Sequence, residues 1–377
     1  MKILIATPIF PPESGGPATY VQELSARLPE HYEVTLLTYA ENPTPLSRGT
    51  LHVINKNAPL PLRLWHFYRK LHELAADVDV IYAQGAVAAG LPAALAARRR
   101  RKPLIIKMVG DEAWERARAS GQTTLSLPDF NVNRAPGVYP KILRSIQFFV
   151  LRKADIVTTP SRYLAELFKR AYALNNQPVL VNYNPTTLID VSGTQRTPHS
   201  IAVVNRLTRW KHVDEIIKAV ALLKKRFPDV TLTIAGDGPL REQLETLAEK
   251  RNLTDSVTFL GDVPKTEVEK LLTTSSVYVL NSSYEGLPFT VLEAFAAKIP
   301  VVATNIQGTK ELVSLETAWP TPSEKAVPLA QAIEDVFTHE DKAQQKVETA
   351  YALLQTSFTW EQHIATLKSF IETTKTN

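Results

Sequence analysis

Short apolar, β-branched runs alternate with helix-length stretches along nearly the whole chain, and this alternation limits the fold more than any other feature of the sequence. In the first half the runs at 2–7, 33–39, 52–55, 80–83, 104–109, 156–159 and 179–183 read as strands. The second half restarts the scheme at 201–205, 231–235, 257–260, 277–280 and 301–304, with helical stretches such as 213–226 and 240–250 between them. Strands that alternate with helices build parallel sheets covered on both faces. Between the halves, 185–198 is polar, carries prolines and lacks periodicity, which marks a linker. The pattern predicts an α/β chain with a doubly wound domain at 1–184, a linker at 185–198 and a second such domain at 199–357, facing each other across a cleft. In the terminal segment 358–377, Trp360, His363, Ile364, Leu367 and Phe370 recur at helical spacing, so a final helix is expected with something to cover. The length of 377 residues agrees, at ~150 residues per domain.

Composition removes several classes of function. The chain has no cysteine, hence no disulfide, thiolate metal site or cysteine nucleophile, and it fits a reducing, cytoplasmic setting. A net charge of +5 is too mild for a nucleic-acid coat and favours anionic ligands or an acidic membrane face. The opening run from Ile3 to Ala6 stops at Pro8 and reads as a buried strand, not a secretory signal. The uncharged stretch from Val80 to Ala97 is rejected as a membrane span, because Gln84-Gly85 and Gly90-Leu91-Pro92 divide it into a strand and an alanine-rich helix.

The densest chemistry lies in Asn281-Ser282-Ser283-Tyr284-Glu285-Gly286-Leu287-Pro288-Phe289-Thr290-Val291-Leu292-Glu293. Pro288 and the apolar run after it mark a helix start just past the strand 277–280. Unpaired N–H groups of Gly286, Leu287 and their neighbours there suit a diphosphate. Glu285, in the loop, and Glu293, inside the helix, are placed to accept hydrogen bonds from sugar and ribose hydroxyls respectively. Upstream, Arg206 and Lys211 follow the first strand of the second domain. Two cations at a strand's carboxyl end offset the charge that grows on a departing nucleoside diphosphate. In the first domain, Gly15-Gly16 lies between the first strand and first helix, where adjacent glycines let an anion approach the backbone.

These residues resemble those of the retaining glycosyltransferases of family four, which have the GT-B fold of two Rossmann-like domains with a C-terminal helix that crosses back to domain one. The resemblance covers nearly the whole chain. It implies that Arg206 and Lys211 hold the donor diphosphate, that Glu285 stands near the donor sugar and Glu293 near the ribose, and that Gly15 and Gly16 lie near the donor phosphate or the acceptor. Pro288, Gly236 and the loop with Asp262 and Val263 would complete the donor site, the last two elements bordering the base. The implied reaction moves a sugar from a nucleotide-diphosphate sugar to a hydroxyl acceptor, a saccharide or a lipid-linked glycan, with retention of configuration. It needs no resident cofactor, since the nucleotide sugar is a co-substrate, and no metal, since the cations and helix termini do the charge work. Asp77 and Asp79, which a metal reading would favour, are taken as solvated charges at a helix end.

Two departures stand out. Many members carry a His near the reacting centre where this chain reads Lys107-Met108-Val109-Gly110-Asp111, so Asp111 is the candidate replacement. Asn205 stands where a Gly is usual before the Arg, and asparagine tolerates left-handed backbone geometry. The missing His keeps a non-catalytic nucleotide-sugar-binding module open, alongside a GT-B epimerase or phosphorylase. The stretch from Leu60 to Ala76 predicts a helix with Leu64, Phe67, Tyr68 and Leu71 on one face and Arg63, His66, Arg69 and Lys70 opposite, Trp65 at the border. With Arg98 to Lys102 extending the basic patch, it implies peripheral contact with an anionic membrane on its inner face.

Overall fold

A computed structural model describes residues 1–13, 16–132 and 137–376. It divides into two compact units, Met1–Tyr183 with Glu361–Asn377, and Asn184–Trp360.

The first unit is built on a seven-stranded parallel sheet of β1 (Lys2–Thr7), β2 (Glu33–Ala40), β3 (Thr50–Asn55), β4 (Val80–Gln84), β5 (Leu104–Lys107), β6 (Ile156–Thr159) and β7 (Val179–Val181), in the order β3-β2-β1-β4-β5-β6-β7. Its helices are α1 (Gly16–Arg27), α2 (Leu60–Leu74), α3 (Gly90–Arg100), α4 (Glu112–Ala119), α5 (Leu127–Val132), α6 (Val138–Leu151) and α7 (Arg162–Ala171). Alternate residues of a strand face opposite ways. Ile81 and Ala83 therefore join Phe67 and Leu71 of α2 and the alanines of α3 in one core, while Tyr82 meets Tyr20 of α1 on the other face. The segment 80–97, set aside as a membrane span, is β4 and most of α3, and no helix among the described residues is long and apolar enough to cross a bilayer.

The second unit repeats the scheme with β8 (Ser200–Val204), β9 (Thr231–Ala235), β10 (Val257–Gly261), β11 (Val277–Leu280), β12 (Val301–Thr304) and β13 (Trp319–Thr321), in the order β10-β9-β8-β11-β12-β13. Around it lie α8 (Val213–Leu223), α9 (Arg241–Lys250), α10 (Lys265–Thr274), α11 (Phe289–Ala296), α12 (Ala326–Thr338) and α13 (Glu340–Ser357). The last helix, α14 (Trp360–Thr376), returns the chain to the first unit from Glu361 onward. It is fastened there through His363, whose Nε2 lies 2.7 Å from the Tyr20 hydroxyl and whose Nδ1 lies 2.7 Å from the Tyr183 carbonyl oxygen.

In both sheets the strand order reverses beside the first strand, between β1 and β4 and between β8 and β11. Loops leaving the carboxyl ends of strands at such a point diverge and leave a crevice, the usual ligand position in this architecture.

Candidate functional site

At the second unit's reversal point, the loop after β8 and the loop after β11 are tied by backbone and side-chain hydrogen bonds. The Ser283 N–H donates to the Trp210 carbonyl at 2.8 Å, and the Asn281 amide donates to the His212 carbonyl at 3.2 Å. His212 adopts left-handed backbone geometry, φ +42°, and its Nε2 lies 3.0 Å from the Ser283 hydroxyl. That turn holds Lys211 against Glu285, and their side chains form a largely buried ion pair. An ammonium has three N–H donors. With one directed at Glu285, two remain for other acceptors, and Glu285 fixes where they point.

Arg206, on the same loop, is exposed, and its guanidinium makes no hydrogen bond or ion pair among the described residues. Asn205 is buried and its φ is not positive, so the left-handed tolerance expected of it is not used. The special geometry falls instead on Gly236, φ +119°, where a Cβ would run into the Asn205 carbonyl oxygen. The Gly236 N–H donates to the Gly261 carbonyl at 2.8 Å, so the loops after β8, β9 and β10 are locked backbone to backbone. Asp262, exposed, and Val263, half-buried, follow Gly261 on that rim.

Helix α11 begins at Phe289, with Pro288 as its extended N-cap. No side chain caps it and its first turn holds no acid. The turn of Gly286 and the buried Leu287 leads into a helix end whose orphan N–H groups and dipole favour an anion. Glu293 sits in the second turn, half-buried. Burial pushes its carboxyl up to about 7, against the pull of Lys265 on α10 and with the push of Glu269. One residue that the sequence reading passed over fixes this loop. A Cβ on Gly308 would overlap the Glu285 carbonyl, so the turn after β12 buttresses Glu285 from behind. No local pattern signals it, because the contact joins segments 23 positions apart.

In the first unit, Gly16 is the first residue of α1, whose opening turn holds no acid, while Gly15 lies outside the described residues. Asp111 departs from its expected role. It is fully buried, one carboxylate oxygen accepts from the Trp114 N–H at 3.0 Å as the N-cap of α4, and the other accepts from the Tyr172 hydroxyl at 2.6 Å. With both oxygens committed, it is a helix cap and not a group presented to a reacting sugar. Asp77 and Asp79 are engaged by Lys2 through its ammonium and its backbone N–H.

Residues 15–185 match the glycosyl transferase 4-like domain, and residues 186–353 match glycosyl transferases group 1. An uncharacterized glycosyltransferase of Haemophilus influenzae is 32% identical over 177 residues, 46% of this chain and 49% of that protein. The alpha-D-kanosaminyltransferase of Streptomyces kanamyceticus is 29% identical over 254 residues, 67% of this chain and 56% of that protein. The chain thus spans about half the length of these curated relatives. Among solved structures, Anabaena HepE in complex with UDP superposes with a TM-score of 0.75 at 19% identity, over 99% of this chain and 100% of that one. The sucrose-phosphate synthase of Thermosynechococcus elongatus gives 0.77 at 17% identity, over 99% of both chains.

Proposed function

Because the chain belongs to the GT-B glycosyltransferases of the GT4 type, we propose that it moves a sugar from a nucleotide-diphosphate sugar to a hydroxyl acceptor with retention of configuration. The observation that carries this reading is the Lys211–Glu285 pair, which ties the loop after β8, the one that also carries Arg206, to the loop that leads into the uncapped start of α11, where β8 and β11 diverge. Arg206 and the free N–H groups of Lys211 receive the diphosphate, and α11 adds its dipole. Their charge stabilises the phosphate most as the glycosyl–oxygen bond breaks, so they act in the transition state more than in the ground state. Glu285 aligns Lys211 and presents its second oxygen to the donor sugar, and Glu293 accepts from the ribose. The departing phosphate takes the acceptor's proton on the face it leaves, which yields retention with no covalent enzyme intermediate.

In this reading the charge work falls to Arg206, Lys211 and helix ends, and neither a metal nor a resident cofactor takes part. HepE has been solved with UDP-glucose, which makes uridine donors the first to test. The acceptor is a saccharide or a lipid-linked glycan, and in the second case the protein works as a peripheral protein on the inner face of a membrane. Incubation with a panel of nucleotide sugars and acceptors, with anomeric analysis of the product by NMR, tests the proposal. The expected product keeps the donor's anomeric configuration. An inverted linkage, or sugar that remains on its diphosphate, would overturn it.

A further inference from the structure

The first unit holds a charged side chain that the transfer reading leaves unused. Lys107, the last residue of β5, is 3% exposed, and its Nζ has no hydrogen-bond partner. The ammonium lies 3.7 Å from the centre of the Tyr20 ring. Burial pushes the amine down to about 7, and no carboxylate counteracts it. A buried cation without a counter-ion is costly, and proteins seldom keep one without a reason.

Its neighbours share the deficit. Gln84, the last residue of β4, and Thr158 of β6 are the register partners of Lys107 on either side. Register partners in a parallel sheet project from the same face. Both residues are buried, and the Gln84 Nε2 and the Thr158 Oγ1 also lack partners. An amide NH2, an ammonium and a hydroxyl therefore stand side by side at the carboxyl ends of three adjacent strands. All three are donors. Buried polar groups are satisfied in the great majority of cases, so three neighbouring donors short of an acceptor point to one shared acceptor that arrives from outside.

We propose that Gln84, Lys107 and Thr158 form a receiving site for an oxyanion, a carboxylate or a phosphate, carried by the acceptor substrate. That the anion belongs to an acceptor rests on the transfer reading above; the site itself does not. The other titratable groups facing the amine are Tyr20 from α1, Tyr82 from β4 and His363 from α14. Burial and the nearby Lys107 hold His363 well below its ordinary value, so it is neutral. Among the described residues no carboxylate acts on the Lys107 amine. The Tyr20 ring lies against Nζ, and its hydroxyl is tethered 2.9 Å from that of Tyr82 and 2.7 Å from His363.

Full-length protein labelled with 13C at the lysine ε-carbons tests this without turnover, with the Lys107 signal assigned through Lys107→Met. The signal is followed against pH alone and with inorganic phosphate, glucose 6-phosphate, glucuronate or neutral glucose. A bound oxyanion favours the charged amine, so its titration midpoint should rise by about one unit or more with glucose 6-phosphate or glucuronate and stay put with glucose. Thr158→Val and Gln84→Leu should each reduce that rise, and UDP should still raise the melting temperature of Lys107→Met, which shows that the variant is folded. A midpoint indifferent to all three anions, in protein that still responds to UDP, overturns the site. A response to inorganic phosphate alone overturns its assignment to the acceptor. A full response in protein that transfers no sugar refutes the transfer reading and leaves the oxyanion site standing.

Discussion

Arg206 and Lys211 carry the same charge on the same loop, yet their surroundings give them different mutational signatures. Lys211 is largely buried against Glu285, so removal of either partner leaves an uncompensated charge that costs roughly 1–3 kcal/mol of stability. Arg206 is exposed and unpaired among the described residues, so Arg206→Ala should change stability by less than about 0.5 kcal/mol while lowering kcat/KM by on the order of 100-fold. A urea-denaturation cycle over Lys211→Met, Glu285→Gln and the double variant should show the double losing less than the sum of the singles; additive losses would mean that the pair is not coupled. Glu293 makes a separate prediction. In the folded protein its carboxyl keeps its proton up to about pH 7, whereas its ordinary value is 4.5. The native state therefore binds more protons across that interval. Stability owed to this group is untouched below pH 4.5, falls as pH rises from 4.5 to 7 and is level above. Glu293→Gln should flatten that fall. If a ribose hydroxyl donates to the carboxylate, nucleotide affinity changes in the opposite sense, strengthening as pH rises through 7 and losing that dependence in the Gln variant; calorimetric titration across pH 6–8 reads it directly.

Short elements owe their positions to glycine contacts that no local pattern announces. Gly308→Ala places a methyl on the Glu285 carbonyl, and overpacking against backbone costs typically ~1–3 kcal/mol. The expected outcome is a lowered urea midpoint together with a loss of transfer larger than the loss of nucleotide affinity, because the displaced element is the one that carries Glu285. Unchanged activity would detach the turn after β12 from the site. Twelve strands were legible as short β-branched runs, and for the central ones, such as β1, β4, β5, β6 and β11, there is a physical reason: a strand buried on both faces must be largely apolar. β13 was not, since its sequence is Trp-Pro-Thr and proline cannot donate to a ladder; it lies at the sheet edge, where that is tolerated. The positions of Arg206, Lys211, Glu285 and the α11 start were readable because each follows a strand end directly. The Gly308 buttress and the Gln84–Lys107–Thr158 row were not, because they depend on contacts and registers between segments far apart in sequence. Asp111 shows the converse. A carboxylate in a loop before Glu112-Ala113-Trp114 has the pattern of a helix cap as much as that of a catalytic acid, and the Tyr172 hydroxyl that takes its second oxygen is 61 positions away.

At the scale of the molecule, the open matter is contact with a membrane, and the structure redraws the surface expected for it. Phe67, Leu71 and Ala75 are in the core, with Phe67 stacked 4.3 Å from Tyr39, so the apolar stripe of α2 is not available to lipid. Its first turns are different: Leu60, Leu62 and Trp65 are 53%, 46% and 49% exposed. Some cations of that helix are engaged locally, Arg63 on the Lys56 carbonyl, Arg69 over the Trp65 ring and Lys70 on Glu73. Arg98 to Arg101 are exposed but lie at the far end, where Arg100 reaches the His72 carbonyl in the last turn of α2. At 1.5 Å per residue, Leu62, in the middle of the exposed apolar group, and His72, where Arg100 docks, stand ~15 Å apart along α2. The two parts then have separable signatures. If α2 and the end of α3 lie along an anionic bilayer, Arg98→Glu with Arg99→Glu should remove most of the salt-sensitive binding, each cation near the surface contributing ~1 kcal/mol. Leu62→Glu with Trp65→Glu should weaken binding at high and low salt alike, because insertion of apolar area is not screened. Sedimentation with anionic and neutral vesicles at low and high salt measures both. Wild-type protein that fails to sediment with anionic vesicles even at low salt would remove the membrane from the proposal and leave a soluble saccharide as the acceptor.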